Sequence, residues 1–217
     1  FDSALAFRAY VSNEKGNSVS VIDTDKMEVI ATVKTGQRPR GIEVSRDGKF
    51  VYVAVGDDDT VQIIDTKSLS IVGELPSGPD PEQFALDPTG KSLYVANEND
   101  AMVTVIDLEK RASIGEVSVG VEPEGLAVSK DGETVVNTSE TTSMAHFIDW
   151  RAKKVVANVL VGARPRYAEF TPDGTELWVS SEVGGGGSVI DPVKHPIIAR
   201  IDFPVPGPAT EQRQPVG

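Results

Sequence analysis

At 217 residues the chain is long enough to bury one sizeable core, and its 39% apolar and 25% charged residues are the balance of an ordinary globular protein. A net charge of −12 repels phosphate backbones and anionic lipid, and no basic patch interrupts it, so nucleic acid is not an expected partner. No run approaches the ~20 apolar residues of a membrane-spanning helix, so no membrane insertion is expected, and the absence of cysteine removes disulfides, thiolate metal sites and cysteine nucleophiles.

The first feature in the chain is Ala4-Leu5-Ala6, which has the small-x-small form of a signal-peptidase site or is an ordinary extended lead-in. From Tyr10 onward one pattern returns every 42 residues. Ile-Asp stands at Ile22-Asp23, Ile64-Asp65, Ile106-Asp107, Ile148-Asp149 and Ile190-Asp191. Pro39, Pro81, Pro123 and Pro165 are each preceded three residues earlier by a glycine, Gly36, Gly78, Gly120 and Gly162. A turn glycine falls at Gly48, Gly90, Gly132 and Gly174, and an aromatic at Tyr10, Tyr52, Tyr94 and Trp178, with Val136 in the fourth copy. So many features in one register define a repeat. The units run approximately 9–50, 51–92, 93–134, 135–176 and 177–217, within a single domain spanning 1–217.

Each unit reads as four strands. In the second copy Gly41-Ile42-Glu43-Val44-Ser45 is a short first strand, and Arg46-Asp47-Gly48-Lys49 a tight turn in which glycine takes positive φ without a Cβ clash. Phe50-Val51-Tyr52-Val53-Ala54 is the second strand and Val61-Gln62-Ile63-Ile64 the third. Asp65 then stops that strand, its short carboxylate bonding nearby backbone N–H groups, and Ile71-Val72-Gly73-Glu74-Leu75 is the fourth. No sustained helical periodicity appears. Four-stranded units of this length are the size of propeller blades, which are apolar on both faces and are stable only when stacked around an axis. The expected fold is an all-β propeller of four-stranded antiparallel blades.

The fourth and fifth copies depart from the pattern. Asn137 replaces a valine found at Val11, Val53, Val95 and Val179, and a buried amide needs partners, so it either bonds within the channel or marks drift of the repeat. His146 takes the place of Ser20, Gln62 and Thr104 and reads as a polar strand residue facing a blade interface, while His195 lies in a turn. These two histidines fall in different blades, which argues against a histidine metal site or a catalytic triad. Gly184 to Gly187 reads as a flexible hairpin tip, because no helix follows to make an anion site. Pro204 to about Glu211 is an insertion before Pro215-x-Gly217, the signal of another first strand.

Propeller ligands sit at one mouth of the central channel. The loops reaching it join the fourth strand to the next first strand, and the second to the third. The residues flanking each proline change sign from blade to blade: Arg38 and Arg40, Asp80 and Glu82, Glu122 and Glu124, Arg164 and Arg166. The other loops contribute Glu14, Glu98, Glu140 and Glu182, with Gly56 in the second copy and Asp57-Asp58-Asp59 and Asp100 nearby. Arg38, Arg40, Asp80, Glu82, Glu98, Glu122, Glu124, Arg164 and Arg166 are the candidate ligand-binding set. Guanidinium forks suit carboxylates or phosphates, and clustered carboxylates suit amines or hard cations, so the mouth suits a ligand with separated charges. Equally, Glu and Arg on neighbouring blades pair with each other and fix blade geometry. The Asp57–Asp59 run lacks the glycine and terminal glutamate of a calcium loop and reads as a solvated turn. No catalytic residue, metal or cofactor is expected.

Tyr10-Val11-Ser12-Asn13, Val19-Ser20-Val21-Ile22-Asp23 and Leu93-Tyr94-Val95-Ala96-Asn97 resemble the YVTN repeat family. Ala9-Tyr10-Val11-Ser12-Asn13-Glu14-Lys15, Gly36-Gln37-Arg38-Pro39-Arg40-Gly41 and Gln214-Pro215-Val216-Gly217 are similar, more narrowly, to periplasmic propellers associated with PQQ-dependent alcohol catabolism. The resemblance implies seven blades, about 294 residues at this period, and a periplasmic or secreted location. The 217 residues are therefore expected to be part of a longer molecule, with a closed five-bladed ring as the alternative. The resemblance associates the chain with quinoprotein dehydrogenases without fixing an activity. The expected function is a non-catalytic binding or accessory propeller serving quinoprotein alcohol oxidation, its partner a small ligand or, given the acidic face, a basic protein such as a cytochrome or dehydrogenase. Two other readings stay open: an enzyme or enzyme subunit of the lactonase or amine-dehydrogenase large-subunit type, and a surface-layer or adhesion module.

Overall fold

The computed structural model describes residues 7–203 and 214–216, and it is all-β apart from two single 3-10 turns. Ala4-Leu5-Ala6 and the Pro204–Glu211 insertion lie outside the described residues. The first sheet has three strands, β1 (Arg8–Asn13), β2 (Ser18–Asp23) and β3 (Glu28–Lys34). The second has β4 (Pro39–Val44), β5 (Phe50–Val55), β6 (Thr60–Asp65) and β7 (Ser70–Pro76). The third has β8 (Pro81–Leu86), β9 (Ser92–Asn97), β10 (Met102–Asp107) and β11 (Ala112–Ser118). The fourth has β12 (Pro123–Val128), β13 (Val135–Ser139), β14 (Met144–Asp149) and β15 (Lys154–Leu160). The fifth has β16 (Pro165–Phe170), β17 (Leu177–Ser181), β18 (Gly186–Ile190) and β19 (Ile197–Asp202). Every sheet is an antiparallel meander, and the first strand of each four-stranded sheet packs beside that of the next, β4 on β8, β8 on β12 and β12 on β16.

The Ile-Asp signature builds the same turn each time. Asp65 Oδ1 accepts the amides of Lys67 (3.0 Å) and Ser68 (2.7 Å), and its carbonyl accepts that of Leu69, which closes the turn at positive φ. Asp23, Asp107 and Asp191 also accept two backbone amides, and Asp149 accepts one. Gly48, Gly90, Gly132 and Gly174 have φ near +70°, the left-handed region that a Cβ disfavours.

The first strand begins at its proline, two residues earlier than the apolar run suggests: Pro39 pairs with Val55, and a register shift between Pro39 and Ile42 bends the strand into the rim. Proline is tolerated there because an opening position need not donate to the ladder. That bulge also explains Asn137. Its Nδ2 donates to the Gly125 carbonyl (3.1 Å), its Oδ1 accepts from Ser139, and Thr138 accepts the Gly125 amide (2.9 Å). Both backbone groups that the bulge frees are thus satisfied within the sheet, by residues that are wholly buried. Gly186 and Gly187 form the start of β18 rather than a flexible tip, and Gly186 is buried with no room for a Cβ.

The core lies between sheets. Tyr52, Ala54, Val61, Ile63 and Leu75 of the second sheet pack on Phe84, Leu86, Leu93, Val95 and Ile106 of the third, and equivalent clusters join the other neighbours. His146 serves such an interface: its Nε2 accepts the Gly120 amide (3.1 Å), so Nδ1 carries the proton and donates to Asn158 Oδ1 (2.6 Å).

Candidate functional site

The site is built from the bulged start of each inner strand. Arg38, Asp80, Glu122 and Arg164, the residues before the four prolines, all lie in the left-handed region, with φ of 59°, 55°, 57° and 52°. Such a conformation costs about 1–2 kcal/mol for a residue with a Cβ. It is held because each carbonyl accepts an amide from the neighbouring loop of its own sheet, at Gly56 (3.0 Å), Glu98 (2.9 Å), Glu140 (2.8 Å) and Glu182 (2.8 Å). Side chains tie the same loops together: Arg38 N–H donates to Asn17 Oδ1 and Asp80 N–H to Asp59 Oδ1, at 3.0 and 2.9 Å. The Asp57–Asp59 run accordingly braces the rim, with Asp58 accepting the Gln37 amide (3.0 Å).

These loops bring the candidate residues into one ion network. Arg38 reaches Asp80 (2.9 Å), Glu82 (2.7 Å), Glu98 and Glu14 (both 3.6 Å) and Asp57 (3.7 Å). Arg40 contacts Glu82, Glu14 (3.3 Å) and Glu124 (3.8 Å). Glu124 in turn meets Arg166 (3.2 Å), which touches Glu140 and Glu182 (3.8 Å), and Arg164 completes the chain with Glu140 and Glu182 (3.6 Å). Glu122 is the one candidate carboxylate with no cationic partner among the described residues; it accepts from the Thr141 hydroxyl. Four guanidiniums thus face eight carboxylates among the described residues.

Burial sharpens that imbalance. Glu82 is fully buried and Glu124 nearly so. Desolvation and the neighbouring Glu124 and Glu98 carboxyls push Glu82 up to about 9, against the pull of Arg40. Desolvation also raises Glu124 to about 7, with Arg166 and Arg40 opposing and Glu140 and Glu98 adding to it. Even with a proton on Glu82, the rim remains anionic. Asp80, Glu82 and Glu98 converge closely enough to hold a cation, but the Arg38 guanidinium already lies against all three. Their donor set is therefore occupied by an internal cation and does not fit a resident metal.

Inside this ring lies a cavity of about 260 Å³ bordered by Arg40 and Arg166, Glu14 and Glu124, with Ser12, Gln83 and Val216 also on its wall. Glu14 belongs to the second loop set expected at this mouth, whereas the repeat pattern does not single out Ser12, which enters because its hydroxyl donates to the Arg40 carbonyl (2.7 Å). Among the described residues no histidine lines it.

No curated protein sequence matches the chain. Among solved structures it is similar to a chain of Kuenenia stuttgartiensis hydrazine synthase, at 25% identity and a TM-score of 0.77, covering 85% of this chain and 59% of that one. The chain therefore spans less than two thirds of that neighbour. The family model for the seven-bladed β-propeller lactonases matches residues 5–119, more than half of the sequence. On that match and the stacked sheets, the chain belongs to the lactonase seven-bladed β-propeller family.

Proposed function

We propose that this propeller is a periplasmic binding or accessory protein serving quinoprotein-dependent alcohol oxidation, and that its mouth holds a small ligand carrying separated positive and negative groups. The observation that carries the reading is the cavity walled by two guanidiniums, Arg40 and Arg166, and two carboxylates, Glu14 and Glu124. A zwitterion presents its acid to the first pair and its ammonium to the second, replacing the contacts that the network makes with itself. The surplus of carboxylates around the rim supports a second use of the same face, docking of a basic protein such as a cytochrome. The link to alcohol oxidation and to the periplasm rests on the sequence resemblance in the Gly36–Gly41 and Gln214–Gly217 segments.

Titration calorimetry with 4-aminobutyrate, glycine betaine and a basic cytochrome c in low salt tests this. Saturable binding of at least one probe is expected, weakened about tenfold by Arg166→Met or Glu124→Gln and by added salt. Absence of binding by all three overturns it. The family match favours a second reading, hydrolysis of a lactone ring. Turnover of a lactone panel that rises on calcium addition, with calcium retained by the purified protein, would establish that reading, and would require Arg38 to leave the Asp80–Glu82–Glu98 trio.

A further inference from the structure

The other end of the channel holds a larger cavity, about 330 Å³, which the mouth network does not reach. Its shape comes from one repeat position. Residues 43, 85, 127 and 169 occupy equivalent places on β4, β8, β12 and β16, and they are Glu, Ala, Ala and Glu. Two alanines leave space on the middle sheets, and two carboxylates bound that space from the outer ones. Leu86, Leu126 and Val128 supply apolar wall, and Gln83 lines both this cavity and the one at the mouth.

The polar groups are arranged unevenly. Glu43 is tied down: its Oε2 accepts the Leu86 amide (3.1 Å) and its Oε1 lies 3.7 Å from the Arg46 guanidinium, which also donates to the Leu86 carbonyl (3.2 Å). Glu169 has only a neutral partner, the Tyr167 hydroxyl at 3.0 Å, and among the described residues no cationic group lies within ion-pair distance of it. Desolvation raises Glu43, and the charge of Glu169 adds to it, so the two carboxylates feel each other across the cavity. Tyr167 lines the same cavity, close enough to feel both carboxylates, and is 38% exposed.

We propose that this cavity is a second binding site, and that it takes a small alkylammonium ion. The ammonium would sit between Glu169 and Glu43 over the face of Tyr167, where a cation gains from both carboxylates and from the ring quadrupole. The alkyl body would lie on Leu86, Leu126 and the methyls of Ala85 and Ala127. A neutral alcohol of the same shape keeps the apolar contacts but leaves Glu169 uncompensated, so the site discriminates by charge.

Calorimetry or ¹H–¹⁵N titration of the whole chain with n-butylammonium and, in parallel, n-butanol tests the site. The cation is expected to bind saturably, with the alcohol at least tenfold weaker. Glu169→Gln, a change at an exposed side chain that spares the fold, should weaken the cation about tenfold, and Tyr167→Leu several-fold. Glu43→Gln should act in the same direction, with a thermal melt confirming that the variant is folded. Glu133→Gln, a surface carboxylate paired with Arg151 outside the cavity, should have no effect. Equal binding of alcohol and cation, an unchanged affinity in Glu169→Gln, or no saturable binding would overturn the proposal.

Discussion

His146 and Gln62 hold equivalent positions two repeats apart and perform one task, each accepting the amide of the glycine 26 residues earlier, Gly120 at 3.1 Å and Gly36 at 3.0 Å. His146→Gln should therefore be nearly neutral, whereas His146→Leu strands a partly buried amide and should cost about 1 kcal/mol in urea unfolding. The two variants also differ from the wild type in pH response. Burial lowers the His146 pKa below its ordinary 6.5, against the Asn158 hydrogen bond, so the unfolded chain binds the proton more readily. The stability from neutral His146 is complete above about 6.5 and is lost as the pH falls toward the lower folded value. His146→Gln should remove that part of the slope between pH 7 and 5. Ala101 offers an independent test. It has φ of +58° at a position filled elsewhere by Asn17, Asp59, Ser143 and Gly185, three of which suit the left-handed region better. Ala101→Gly should relieve the clash and, after the added freedom of the unfolded chain, stabilise by about 0.5–1 kcal/mol, seen as a melting temperature about 1–4 °C higher.

The rim loops show how far sequence reaches. Proline spacing and the alternating signs around it locate the loops and name most of the residues that meet in the network, because those are local features repeated in register. The left-handed backbone at Arg38, Asp80, Glu122 and Arg164 leaves no such trace, since Arg, Asp and Glu before proline advertise no positive φ. That conformation sets Arg38 within reach of five carboxylates from three sheets, a convergence that no residue spacing reveals. The Ile-Asp turns were legible for the opposite reason: an aspartate directly after a strand has few other uses. Asn137 was half legible, as a polar break in an apolar pattern whose bulge partner, Gly125, becomes visible only in the folded sheet. Protonation of the rim gives a measurable consequence. Because the folded Glu82 pKa lies near 9 and the unfolded value near 4.5, the folded chain keeps this proton up to about pH 9, and the stability that the raised pKa contributes is complete below about 4.5 and is lost as the pH rises toward 9. Glu82→Gln mimics the protonated form. It should flatten the loss of stability between pH 5 and 9, with the difference from wild type growing on the alkaline side in unfolding curves at matched salt.

Stacking gives each sheet its stability from its neighbours, and the two outer sheets are covered on one side only among the described residues. The position that buries Tyr52, Tyr94 and Val136 against the following sheet holds Trp178 in the fifth, 42% exposed. The position that buries Val53, Val95, Asn137 and Val179 against the preceding sheet holds Val11 in the first, 44% exposed. No pair of strands in substantial contact joins the first sheet to the fifth. If neighbour interfaces dominate, local opening is cheapest at the two flanks and dearest in the third sheet. Amide exchange of this chain should then be slowest at β9 and β10 and fastest at β1 to β3 and β18 to β19, even though the hydrogen-bond ladders are alike. Trp178 should report the same asymmetry, with an indole open to acrylamide quenching, whereas Trp150, in edge-to-face contact with Tyr94 at a ring-centroid distance of 6.1 Å and covered by Arg151, should be shielded. Uniform protection across all five sheets would mean that the flanks are held by contacts beyond these interfaces. The nearest-neighbour account of stability would then fail, because the ladders alone cannot distinguish an outer sheet from an inner one.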